Sequence, residues 1–175
     1  MIIKPKDWDT VEETETGSSG VPKGIYPVKI VAVKDITEKQ YLEIKFDIAK
    51  GEYEGVFSRM SNGDLDKWSN QGIYRASYKE SATVFFKRFI TAVQKSNKNY
   101  LWDWDEQSLK NKFFVAVMGE EEYMWEGELR LAVRIQSCRS LEALQKGEIK
   151  EPPLKKLKET KPAAPVEVLV GESPF

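Results

Sequence analysis

The residues that could do chemistry in this chain fall into two sets. Asp35, Glu43 and Lys45 form the first, with Glu43 and Lys45 two apart in a stretch of alternating pattern and an acid upstream. Two carboxylates so placed could hold Mg²⁺, and the lysine could position a water for attack on a phosphodiester. The second set mixes cations and flat rings: Lys39, Tyr41, Lys45, Arg59, Lys67, Trp68, Tyr74, Arg75, Tyr123 and Trp125. Cations neutralise phosphates, and a ring stacks on any base for about 1–3 kcal/mol. The second set therefore describes a surface for a nucleic-acid strand. Alternation puts Glu43 and Lys45 on a solvent side, where hydrated charge is expected in any case. We accordingly expect no catalytic residue, no metal and no cofactor.

These residues need a scaffold, and the clearest element is the run 41–50. Leu42, Ile44, Phe46 and Ile48 alternate there with Tyr41, Glu43, Lys45 and Asp47, the period of a half-buried strand. Residues 24–34 read as its antiparallel neighbour, with Tyr26, Val28, Ile30 and Ala32 on one face, and 51–55 as the following turn. A third strand is expected to begin at 56–60, break at an irregular insertion carrying Lys67 and Trp68, and resume at 73–75. The alternative for Trp68, a lid on the core, is the more common fate of a lone Trp in a loop. A helix capped by Ser77 or Ser81 should follow, with Val84, Phe85, Phe86, Phe89, Ile90 and Val93 as its apolar stripe. Trp102 and Trp104 read as packing.

Residues 113–118 read as a fourth strand, 119–127 as a long hairpin tip, and 128–137 as a fifth strand with Leu129, Leu131, Val133 and Ile135 facing in. A turn of helix is expected at 141–144. The order is β-β-β-α-β-β, so the expected fold is all-β with one helix: a five-stranded OB-type barrel with flexible N- and C-terminal tails. In that barrel ligands cross strands two and three, between the first loop and the hairpin joining strands four and five. At the hairpin tip Glu120, Glu121 and Glu122 would repel phosphate unless they point away.

The chain has 175 residues, no histidine and one cysteine, Cys138. Ser-His-Asp and Cys-His nucleophilic sites and the common structural zinc sites are thereby excluded. No phosphate loop or nucleophile elbow occurs. No run of 18 or more apolar residues and no secretory leader pattern is present, so a cytoplasmic protein is expected. The net charge of −1 is unevenly spread: residues 1–20 carry −3 and residues 159–175 carry −2, which leaves +4 for the segment between. We expect a flexible acidic arm at 1–20, a binding domain at 21–150 and a disordered tail at 151–175.

That tail closes in Gly171, Glu172, Ser173, Pro174 and Phe175. In this it resembles bacterial and phage single-stranded DNA-binding proteins, which end in a flexible tail with a Pro-Phe tip. Gly24, Tyr26, Phe46, Ile48, Gly51, Tyr53 and Gly55 also resemble the pattern of a family of phage replication-module proteins, long of unknown function. The tail departs from the usual acidic run at Val166, Val168, Leu169 and Val170. The resemblance implies an OB-fold protein that protects single-stranded DNA during phage DNA replication and recombination, in the host cell cytoplasm. It further implies that Glu172, Pro174 and Phe175 recruit a helicase, recombinase or polymerase. The alternatives are a Mg²⁺-dependent nuclease using Asp35, Glu43 and Lys45, and a virion structural barrel protein. The sequence leaves room for a homo-oligomer.

Overall fold

Alternation along β2 (Tyr41–Ile48) gives the sheet its buried side: Leu42, Ile44, Phe46 and Ile48 are all buried. The computed structural model describes residues 3, 4 and 20–156. Most of the acidic arm and nearly all of the tail, with Glu172, Pro174 and Phe175, lie outside the described residues. β2 pairs antiparallel with β1 (Gly24–Ile36) on one side and β3 (Ile73–Ser77) on the other. β4 (Phe113–Trp125) joins the far edge of β1, and β5 (Glu128–Arg139) joins β4, in the order β3-β2-β1-β4-β5. Helix α2 (Thr83–Ser96), between β3 and β4, lays Phe86, Phe89, Ile90 and Val93 on the sheet's inner face. The spacing i, i+3, i+4, i+7 puts those four side chains on one helix face. The Phe89 ring centre lies 5.4 Å from that of Phe114 and 5.5 Å from that of Tyr74, so the helix bridges β4 and β3.

The sheet is not closed into the expected barrel. β3 has five residues, while β5 is bulged near Gln136 and leads into α3 (Leu141–Gln145). The two edges therefore meet through side chains rather than a ladder: the Tyr74 hydroxyl lies against the Cys138 thiol. Burial, and then the neighbouring thiol, raises the Tyr74 hydroxyl pKa. Burial pushes the Cys138 thiol up to about 12, although its hydrogen bond with Tyr74 acts the other way.

The expected start of the third strand is instead a helix, α1 (Val56–Ser61). Gly55 takes the left-handed conformation at φ 71°, and the Asp47 carboxylate accepts hydrogen bonds from the amides of Phe57 and Ser58 at 3.0 Å each. A strand residue thus satisfies first-turn N–H groups that the helix cannot bond itself. Phe57, fully buried and edge-on to Phe46 at 5.8 Å, anchors the turn. α2 also starts differently. Ser77 ends β3, Ser81 lies in the 3-10 turn Glu80–Ala82, and neither caps the helix. Val84 and Phe85, expected in its apolar stripe, are exposed.

The expected hairpin loop is strand up to Trp125, with only Glu126 and Gly127 in the turn, at φ 50° and 79°. Two positive φ values make the twist of a type I′ turn, which lets the strands run on to the tip. The hairpin therefore reaches beyond Gly24, where β1 begins, and beyond the core. Leu129 and Leu131 keep the inner parity expected of them but are 58% and 44% exposed. Of the expected disordered tail, residues 151–156 are described, and Lys155 pairs in parallel with Glu121 on the edge of β4 that β1 leaves free.

Candidate nucleic-acid interface

What alternation leaves on the other face of β2 is Tyr41, Glu43, Lys45 and Asp47. Residues directly opposite in an antiparallel pair share a face, so the ladder registers extend these positions into rows. Lys34 of β1, Glu43 and Arg75 of β3 make one row across three strands. Ala32, Lys45 and Ile73 make the next, and Ile36, Tyr41 and Ser77 a third. Lys29 stands opposite Asp47 at the far end. Lys29, Lys34, Lys45 and Arg75 are thus gathered on one face with the Tyr41 ring.

The acids on this face are engaged. A Glu43 carboxylate oxygen lies 3.6 Å from Lys45 Nζ, with both side chains about four-fifths buried. Asp47 is buried, and its oxygens accept from the amides of Ile48, Phe57 and Ser58 at 2.9–3.0 Å. Three backbone dipoles directed at one carboxylate blunt its repulsion of an approaching anion. A cleft of about 490 Å³ opens at this end, between Lys29 and Val31 on the sheet and Ser58, Leu65 and Trp68 beyond it.

Of the residues expected in the site, the sheet brings Tyr41, Lys45 and Arg75 together. Lys39 is exposed in the 3-10 turn Thr37–Lys39, which leads into Tyr41. Arg59 on α1 and Lys67 in the 3-10 turn Leu65–Lys67 are exposed, and the Arg59 guanidinium donates to the Glu54 carbonyl.

Trp68 and Tyr74 do not join the face. Trp68 is 7% exposed and its indole N–H donates to the Phe46 carbonyl at 3.1 Å, which makes it the lid on the core rather than a platform for a base. Tyr74 pairs with Ile44 on the inner face. Because it is adjacent to Arg75 in one strand, the two could not have shared a side.

Tyr123 and Trp125 have the outer parity, as does Arg130 opposite Tyr123. Between them and the basic rows, Val115 and Val117 on the same side of β4 are buried. Pro152 lies over Gly119, where an added Cβ would come within 2.8 Å of its ring. The hairpin rings are therefore a separate patch.

Lys29 and Lys34 were missed by sequence reasoning. Unbroken alternation from Val28 and Ile30 puts Ala32 and Lys34 inside, but the ladder shifts between Ile30 and Ala32, so Val33 turns in and Ala32 and Lys34 turn out. The candidate metal trio is also divided. Asp35 pairs with Leu42, on the parity opposite to Glu43 and Lys45, and its carboxylate accepts from the Tyr78 hydroxyl at 2.7 Å and the Thr37 hydroxyl at 3.2 Å. The Asp35 hydrogen bond, then burial, raises the Tyr78 pKa. Among the described residues no three His, Cys, Asp or Glu side chains converge as a metal site, and no helix is long and apolar enough to cross a membrane. No protein-family model matches this sequence, and no curated protein matches it.

Proposed function

We propose that this chain binds single-stranded DNA across the outer face of β1, β2 and β3. The rows that bring Lys29, Lys34, Lys45 and Arg75 beside Tyr41 carry the reading. Cations spaced along a sheet track a phosphate backbone, and a ring among them offers a base a flat partner without regard to sequence. The strand order, with its helix between β3 and β4, supports an OB-type barrel opened between its third and fifth strands. Such barrels bind oligonucleotides across strands two and three, flanked by the first loop, which here holds Lys39, and by the hairpin of strands four and five, which here carries Tyr123 and Trp125. The resemblance to phage single-stranded DNA-binding proteins supports a role in phage DNA replication and recombination. On the same reading Glu172, Pro174 and Phe175 recruit a helicase, recombinase or polymerase, with the Phe175 ring as an anchor.

The test is a titration of labelled single-stranded and duplex oligonucleotides at several salt concentrations. Single strands should bind more tightly than duplex, with an affinity that falls steeply with salt. Lys34→Ala and Arg75→Ala should each lower the slope of log K against log salt by about 0.7, one phosphate contact apiece. Equal affinity for duplex, or slopes unchanged in both variants, would overturn the reading.

A further inference from the structure

We infer that two copies of this chain associate through the outer edges of their β5 strands, about a two-fold axis at Leu131. β5 is the last strand of the sheet, and no strand of the described residues pairs with its outer edge. The part from Glu128 to Arg134 lies beyond the contact with β3 at Cys138, and an unprotected edge is a template for another strand. β3, at the opposite end, has only five residues.

The hydrogen-bonding phase of β5 follows from its neighbour. The Glu122 amide donates to the Lys155 carbonyl at 2.9 Å and the Glu120 carbonyl accepts from the Lys155 amide at 2.8 Å, so both residues direct main-chain groups away from β5. Their ladder partners, Leu131 and Val133, are then in non-hydrogen-bonded pairs and direct their own N–H and C=O groups outward; Leu129, two residues earlier, does the same. An antiparallel partner must meet these odd-numbered positions with its own.

Charge and apolar matching together select the register among axes one residue apart. With the axis at Leu131, Leu131 faces its own copy, Leu129 faces Val133, Arg130 faces Ala132, and Glu128 faces Arg134, each heterologous pair occurring twice. Moving the axis one residue to Ala132 sets Arg130 against Arg134 twice, and moving it to Arg130 sets two arginines face to face. Only the Leu131 axis of these three joins opposite charges and keeps the apolar residues together. Glu128 already holds Arg130 of its own strand at 3.1 Å, and Arg134 would complete its neutralisation. The pairing also brings the exposed Leu129 and Leu131 of one copy beside those of the other on one continuous sheet face.

Sedimentation equilibrium of the full chain across a micromolar concentration series should give twice the mass of the chain. Glu128→Arg alone and Arg134→Glu alone should each give the single mass, because each sets like charges opposite one another. Mixed in equal amounts, the two variants should recover the double mass, since only the mixed pair restores both contacts. Circular dichroism establishes that each variant is folded; if either is not, Leu131→Lys, which sets two lysines together at the axis, takes its place as the single-mass test. A full chain of single mass would overturn the inference, whether the edge stays bare or is covered by residues after 156. Single variants that retain the double mass, or a mixture of folded variants that stays single, would overturn it as well.

Discussion

β2 and β5 have the same alternating pattern and opposite fates. In β2 each apolar residue from Leu42 to Ile48 is buried, whereas in β5 Leu129 and Leu131 stand in solvent. The difference lies in what faces them: α1 packs against β2 and the buried side chains of α2 join the same core, while the turn at Glu126 and Gly127 carries the hairpin past the described residues that cover the sheet. Alternation assigns a side chain to a face of the sheet. Burial requires a second layer opposite that face.

The sharpest way to break this comparison is Phe46→Ala. Phe46 is fully buried and edge-on to Phe57 and Phe114, so its truncation should cost about 3–5 kcal/mol, read as a lower urea midpoint at unchanged slope. A loss below about 1 kcal/mol would mean that β2 is no better packed than the hairpin. Asp47→Asn should come next, at about 1–3 kcal/mol, because an amide replaces one carboxylate oxygen with a donor against the N–H groups of Ile48, Phe57 and Ser58. If helicity and stability are both retained, α1 is held by Phe57 alone.

A paired substitution then separates the two faces of the body. Trp68→Phe deletes one buried N–H···O bond and should cost about 1 kcal/mol of stability with DNA affinity unchanged. Tyr41→Ala should do the reverse, weakening DNA binding by about 1–3 kcal/mol while leaving the melting temperature in place. Exchange of these two outcomes would invert the assignment of faces. The smallest effect is expected at the hairpin: Met124→Ser, on the same side as Leu129, should change stability by no more than about 0.5 kcal/mol. A larger loss would show that a layer covers that side.

The parts of the fold legible in the sequence are those governed by local period. β2 and the stripe Phe86, Phe89, Ile90 and Val93 could be read directly, and so could the parity of Leu129 to Val133. What could not be read depends on a distant partner or on one extra residue. Residues 56–60 have the composition of a strand, and only Asp47, ten residues away from Phe57, supplies the acceptors that make them a helix. The bulge after Ile30 moves Lys34 from the core to the candidate site, and no side chain announces it. Tyr74 and Arg75 are a different case: their adjacency in one strand already forbade a common face, and the period-two rule sufficed to separate them.

The gap between β3 and β5 has a use in measurement. Cys138 is the only cysteine in the sequence, it is buried, and its thiol stays protonated at neutral pH. Cys138 lies against Tyr74 of β3 and borders the cleft between α2 and β5, so its rate of modification by a maleimide under native conditions becomes a clock for opening around that thiol. No engineered residue is needed to ask whether a ligand laid across β1 to β3 holds the open side of the sheet shut: the clock would slow when it does.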